Sequence, residues 1–427
     1  MEHRGDAQDA LLWNDVVHAV VTHHNDTATR LDGLLTRSPE MCAALLLKGF
    51  ALLFKGRRDL QPVVDQQIDA VRAIQLRDGL SDFESRLFEA LQAWSADRYD
   101  PTDAALARLV EAYPTHLLAV KLQHGFLFLA GRRKRMAETL EAVLPRWNSS
   151  DMGYGYVLGC ASFAWGERGD FTQAEALGKT AVELAPDDAW GIHAVSHIFE
   201  MRDDNVGGAQ WLETHRDGYS FCNNFRGHVF WHLALFELAL ANMERVWELC
   251  DGEVRRAWSG DYRDMSNVAS LLWRLEVDGY DVGDRWEELG AIAREHHTDH
   301  GSAFADAHYA LALGRAGHRD ALGALIDSID GHPCAGGQGE IVHRIGKPLC
   351  EAMTHYLSGR FEQASVGFEQ IRELIPSVGG SNAQRDLFDQ IEIHSALCAN
   401  NHPRATALLQ RRLSARPHNT WAQARAH

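Results

Sequence analysis

One pattern recurs along the chain and limits what it can fold into. In Tyr156–Trp190, the residues Val157, Leu158, Ala161, Phe163 and Trp165 carry helical apolar spacing into Arg168-Gly169-Asp170. A second helix, with Ala174, Ala176, Leu177, Ala181, Val182 and Leu184, stops at Ala185-Pro186-Asp187. The unit is helix, small turn with glycine, helix, then proline, with a period of about 34 residues. Such a unit cannot bury its apolar side alone and has to stack on its neighbours.

Turn centres recur near Arg98-Tyr99-Asp100, Gly131-Arg132, Gly169-Asp170, Asp203-Asp204, Ala241-Asn242, Asp278-Gly279, Gly317-His318, Gly359-Arg360 and Asn400-Asn401. An earlier unit, Leu45–Lys55, turns at Gly56-Arg57. Pro114, Pro145, Pro186, Pro376 and Pro417 each close a second helix, where proline is tolerated because the helix is ending. Turn spacing wanders from about 33 to about 42 residues, so the repeats are degenerate. Strand alternation is absent, and Asn148–Gly155 and Gly331–Gly339 read as loops, the second as a lid or a spacer. A length of 427 residues would suggest roughly three domains. The repeat predicts instead an all-α, tetratricopeptide-like solenoid (an α-α superhelix), one continuous domain over 1–427. Helix pairs run from about residue 40, and 1–39 form an N-terminal helical cap.

The acidic balance, 59 Asp+Glu against 42 Lys+Arg for a net charge of −17, excludes nucleic acid and anionic membrane as main partners. No stretch approaches the roughly twenty apolar residues of a spanning helix, and Met1–Asp15 lacks a signal-peptide core. Seven cysteines with no C-x-x-C pair predict a reducing, cytoplasmic setting without disulfides or a thiolate zinc site. The basic run Arg132-Arg133-Lys134-Arg135 sits at a repeat turn and reads as a solvated corner.

The 23 histidines are the compositional excess. First helices of such pairs line the concave side, and His124, His193, His197, His228, His232, His308, His355 and His394 all fall on first helices. His193, His197 and Glu200 are at i, i+4 and i+7, so they project from one side of a helix. One repeat later His228 and His232 form a second i, i+4 pair, and Asp306 and His308 follow two repeats beyond. Imidazoles at this spacing with a carboxylate suit zinc or another first-row metal, or metal-free acid–base work near neutral pH. There is no H-E-x-x-H, G-x-S-x-G elbow, P-loop or dinucleotide fingerprint.

His124, His355 and His394 read as core histidines that find partners. Ser381 and Gln384 have capping-box spacing; the same segment, with Asn382 and Arg385, could hold a carboxylate at a helix start. The tryptophans are mostly at core spacing, with Trp231 beside His232 placed to wall a pocket.

Several segments together resemble the tetratricopeptide repeat protein 38 family. They are Ala185–Trp190 leading into His193, His197, Glu200 and Met201; His228 with Trp231–Leu235; Arg285-Trp286 with His296, Asp299 and His300; Asp306–His308; Pro348–Cys350; and Gly379–Asp386. The resemblance spans nearly the whole chain and implies an all-helical protein; it implies no reaction. Val229-Phe230 stand where the family often has Asn-Tyr.

These readings converge on a His/Glu/Asp-lined concave pocket for a small polar molecule, leaning toward an enzyme of hydrolase or lyase type. His193, His197, Glu200, His232, Asp306 and His308 are the candidate catalytic residues. His228, Trp231, His300, Asn382 and Arg385 are the candidate substrate contacts. His193, His197, His228 and His232 are the candidate ligands of a divalent zinc, iron or manganese ion. The rival is a non-catalytic scaffold that binds peptides in its groove; homo-oligomer formation is left open.

Overall fold

The computed structural model describes residues 6–256 and 260–426. Regular structure among them is helical, apart from an isolated antiparallel bridge between His24 and Cys222. The expected all-α, tetratricopeptide-like pattern of helix pairs is present.

Nine of the turns share one device. The first helix ends on a residue with left-handed backbone: Asp97 (φ 54°), Gly131 (67°), Gly169 (98°), Asp203 (55°), Ala241 (58°), Gly279 (88°), Gly317 (76°), Gly359 (71°) and Asn400 (54°). The following N–H then bonds back five residues, as Asp170 N does to the Trp165 carbonyl at 2.9 Å and His318 N to that of Leu313 at 2.8 Å. This closes the helix and reverses the chain. Ala241 adopts it at a cost of about 1–2 kcal/mol, having neither glycine's freedom nor a polar side chain to bond locally.

The described residues group into two compact units. The first comprises Met1–Val195, His215–Arg226 and Ala335–Gln338, and the second Ser196–Thr214, Gly227–Cys334 and Gly339–His427; masked positions within these spans lie outside the description. In the first, the helices Ala7–Val21 and Thr27–Arg37 come first in the chain. The pairs Cys42–Leu53/Gln61–Asp78, Asp82–Ser95/Tyr99–Ala112, Leu117–Leu129/Arg133–Val143 and Tyr154–Arg168/Phe171–Leu184 follow. Asp82–Ser95 starts on a capping box, with Ser81 and Glu84 each accepting from the other's backbone N–H, and buries Phe83, Leu87, Phe88, Leu91 and Trp94. The Gly331–Gly339 loop is tied down at its end: Gln338 N donates to Asp97 Oδ1 at 2.6 Å and Tyr99 OH to Gln338 Oε1 at 3.2 Å. The basic corner is solvated as expected, with Arg132 paired to Asp100 and Asp103.

A buried polar knot sits in this unit. Asp188, fully buried, has Lys121 Nζ 3.9 Å from Oδ1. Its carboxylate fills a cradle left by two glycines: a Cβ on Gly159 or Gly191 would stand 2.1 Å or 2.6 Å from Oδ2. Burial pushes the Asp188 carboxyl up to about 6. His124 lies on the neighbouring helix, its ring edge-on to Phe163 and Trp190. Neither of its nitrogens has a hydrogen-bond partner among the described residues, and burial pulls its pKa down to about 3. His124 is thus a core histidine, but not the partnered one the sequence suggests. His355 and His394 do have partners: Arg360 Nε donates to His355 Nδ1 at 2.9 Å, and Tyr356 OH lies 2.9 Å from His394 Nδ1.

In the second unit, Phe225–Ala239/Met243–Leu249, Tyr262–Val277/Arg285–His296, Ala303–Arg315/Arg319–Ile329, Lys347–Leu357/Phe361–Ile371 and Asn382–Cys398/His402–Ala415 continue the pairing. A charge network gathers near the end of the Ala189–Met201 helix. Arg416 bonds Asp203 at 2.5 Å and the Glu200 carbonyl at 2.7 Å. Asn419 Nδ2 reaches Asp203 at 2.9 Å, and Arg412 and Arg274 pair with Asp386. These three arginines hold the Asp386 carboxyl well below the usual carboxylate range, although burial alone would raise it.

Candidate functional site

The helix Ala189–Met201 passes from the first unit to the second after Val195. His193 lies on the first-unit side, its ring stacked on Phe163 at 5.8 Å and 5.2 Å from that of Trp190. One turn later, His197 lies on the second-unit side with Glu200. The next first helix, Phe225–Ala239, supplies His228 and His232.

The second unit brings three imidazoles together. His197 Nε2 and His232 Nε2 are 3.1 Å apart, and one nitrogen from each of His197, His228 and His232 lies within 4.8 Å of the others. Each of the two histidines of Phe225–Ala239 is fixed from behind. His232 Nδ1 is 2.8 Å from Glu200 Oε2, and His228 Nδ1 is 2.9 Å from Asn267 Oδ1. Both partners are acceptors, so each Nδ1 carries the proton and each Nε2 is left with its lone pair. The i, i+3 step from His197 to Glu200 lets one helix supply an imidazole and the carboxylate that orients an opposing imidazole.

The group is dry. His232 is 0%, His197 4%, Glu200 6% and His228 9% exposed. Burial pulls His228 down to about 3 and His232 well below its ordinary value, with neighbouring histidines adding to the effect. Burial also pushes Glu200 up, against the pull of Arg416. His228 and His232 are therefore neutral near pH 7, the form in which an imidazole ligates a metal.

Trp231 joins this group to a narrow hollow. Its fully buried ring stacks on His228 at 5.3 Å and meets His232 edge-on at 4.7 Å. Trp231, Ser266, Asn267, Ser270, Phe304, His308 and Gln384 line the hollow. His308 donates from Nδ1 to the Phe304 carbonyl at 2.8 Å, and burial pulls its pKa down to about 4.

The other sequence-derived candidates lie in different surroundings. Asp306 orients His300, not His308: His300 Nδ1 is 3.0 Å from Asp306 Oδ2, and its Nε2 is 2.9 Å from Ser328 Oγ. Arg385 closes its own loop, bonding the Gly379 and Gly380 carbonyls and, at 2.8 Å, Asn382 Oδ1. The capping box of Ser381 and Gln384 is present. Sequence reasoning missed Asn267, Ser270 and Arg274. Their signal was a polar line at i, i+4, i+8 (Ser266, Ser270, Arg274), with Asn267 beside it, on the otherwise apolar helix Tyr262–Val277.

Among the described residues, no helix is long and apolar enough to cross a membrane, and the seven cysteines are free thiols. No family model matches the chain. Two solved structures resemble it distantly. One, the APC/C hetero-tetramer Cut9–Hcn1, is 9% identical over 97% of this chain and 69% of that one, with a TM-score of 0.49. The other, Naa15/Naa10 bound to HypK-THB, is 13% identical over 98% of this chain and 65% of that one, with a TM-score of 0.26. Likenesses this remote carry no functional argument, and the tetratricopeptide-like fold stands on the helix pairs and their shared turn.

Proposed function

We propose that the chain holds one divalent first-row metal ion on His197, His228 and His232, with a coordination position left for a small polar molecule. One observation carries this reading: two Nε2 atoms 3.1 Å apart, with the outer Nδ1 of His232 on a carboxylate and that of His228 on an amide oxygen. Metal-bound histidines almost always have such outer partners, which fix the tautomer and the ring. A tetrahedral zinc with Zn–N of about 2.0–2.1 Å sets its nitrogens about 3.3 Å apart, close to the spacing found. Three imidazoles suit zinc best and iron or manganese after it.

A metal so held supplies Lewis acidity and a water acidic enough to act near pH 7. The protein's own part is orientation by Glu200 and Asn267, dryness around Trp231, and a proton acceptor in His308 Nε2. Hydrolysis or elimination fits these parts. The resemblance to the tetratricopeptide repeat protein 38 family and a cytoplasmic setting belong to the same proposal. The helix-pair fold itself supports a protein-interaction role, which stands as the alternative.

The test is elemental analysis of untagged protein stripped with EDTA and dialysed against zinc. About one equivalent is expected in the parent chain and none in His197→Ala or His232→Ala of unchanged helicity. A parent chain that retains no zinc, or variants that retain it equally, overturns the metal site.

A further inference from the structure

The first unit carries a cleft of about 330 Å³. It opens where the segment Ser38–Met41, the end of the helix Gln61–Asp78 and the start of the helix Asp82–Ser95 come together. Its size falls within the range of about 300–1,000 Å³ common for clefts that take small organic ligands. Pro39, Met41, Cys42 and Ile74 give it an apolar wall.

The charge of the cleft is uneven. Three carboxylates, Glu40, Asp78 and Glu84, line it with one guanidinium, Arg77, and no lysine. Arg77 sits at the exposed rim and is engaged there: Nη1 and Nη2 bond Glu40 at 2.9 Å and 2.7 Å, and Nε bonds Asp78 at 2.9 Å. Glu84 differs from both rim acids. It is only 4% exposed, and it forms no ion pair among the described residues. Its Oε2 accepts from the Ser81 N–H at 2.9 Å and the Ser81 hydroxyl at 2.7 Å, which closes the capping box and leaves Oε1 uncommitted. The hydroxyl and thiol of the lining are spent on other groups. Ser38 Oγ donates to Asp9 Oδ1 at 2.7 Å, and Cys42 Sγ to the Glu40 carbonyl at 3.8 Å.

Buried acids are rarely left without a paired cation. Here a carboxylate more than nine-tenths buried has no cation from the protein, and it borders a space large enough to admit one. An apolar wall beside it favours a hydrocarbon body behind the charge, because covering Met41 and Ile74 adds the gain of burying apolar surface.

We propose that this cleft binds a small primary amine with a compact apolar body. Its ammonium donates to Glu84 Oε1, and its hydrocarbon part covers Met41, Cys42 and Ile74. Glu40 and Asp78 outnumber Arg77 at the rim, so the mouth attracts a cation. Every lining residue belongs to the first unit, so the proposal does not depend on the metal site of the second.

Phenethylamine is the probe, with phenethyl alcohol as the neutral isostere, phenylacetate as the anion and methylamine as the ammonium without an apolar body. Binding is followed by NMR on the full chain with isotope-labelled methionine methyl groups. The Met41 signal is identified by its loss in Met41→Leu. Phenethylamine is expected to shift it saturably, at least about tenfold more tightly than phenethyl alcohol or methylamine, with no response to phenylacetate. Glu84→Gln keeps the capping box and the shape of the cleft but removes the charge. It is expected to weaken phenethylamine about tenfold or more and to leave phenethyl alcohol, helicity and melting unchanged.

Absence of a saturable phenethylamine response overturns the proposal. So does equal binding of phenethyl alcohol or methylamine, or a folded Glu84→Gln variant that binds phenethylamine as the parent does. Should Glu84→Gln fail to fold, the comparison of amine with alcohol on the parent chain decides alone.

Discussion

Glu200 is the residue on which the site turns. It touches no open coordination position, yet its carboxylate holds the Nδ1 proton of His232 at 2.8 Å and so decides which nitrogen faces His197. Glu200→Gln keeps an acceptor of the same shape but loses the charge that makes His232 Nε2 basic. Zinc affinity, read by competition with a chromophoric chelator, is expected to fall about ten- to a hundredfold. Unchanged affinity would mean that His232 is not a ligand. This residue was legible in the sequence because its spacing from His197 is local. Asn267 was not: it lies 39 positions from His228 with no motif between them, and only packing shows that the two meet. Asp306 was legible as an orienting acid, but its partner was not: His308, two positions on, points its Nδ1 at the carbonyl one turn back, whereas His300 reaches Asp306 from the preceding loop.

At the level of helices, the turns could be read directly, because a left-handed residue followed by a new helix is a short-range signal. Close approaches between helices could not. The packing of Tyr154–Arg168 against the start of Ala189–Met201 depends on Gly159 and Gly191 leaving space for the Asp188 carboxylate. Gly159→Ala puts a methyl group 2.1 Å from Oδ2, and Gly191 closes the opposite side. The expected cost is about 1–3 kcal/mol in denaturant unfolding. Gly323→Ala is the contrast: it lies in Arg319–Ile329 with nothing within 4 Å of the new methyl group, so a gain of about 0.4–1 kcal/mol is expected. Equal effects at the two positions would show that helix propensity, not the cradle, governs Gly159.

For the molecule as a whole, buried neutral histidines set the response to acid. Burial pulls His124 down to about 3 and His308 to about 4, below the ordinary 6.5. A histidine depressed in this way gives stability that is complete above its unfolded value and is lost as pH falls through its folded one. Asp188 works in the opposite sense: its folded value of about 6 lies above the ordinary 3.8, so its contribution is present at low pH and is lost as pH rises through about 6. Of these three groups, between pH 6.5 and 6 the two histidines therefore take up protons on unfolding with little offset from the carboxyl. Between pH 6 and 4 the carboxyl offsets about one of the two protons. Each uncompensated imidazole contributes up to about 1.4 kcal/mol per pH unit. In urea titrations, His308→Gln is expected to flatten the acid-side loss of stability by about one such slope; an unaltered slope would contradict its neutral burial.

The charge network at Asp203 also bears on the order in which the chain is made. The turn after the helix that carries His197 and Glu200 holds Asp203, and its partner Arg416 follows 213 residues later. Until then Asp203 has to stay hydrated, so the end of that helix cannot be sealed from water as synthesis proceeds. The imidazoles are all in place by residue 232, but the wall behind Glu200 is completed only when the chain reaches Arg416 and Asn419. A ribosome-bound chain halted between these points would carry every nitrogen of the site around a carboxylate still open to solvent.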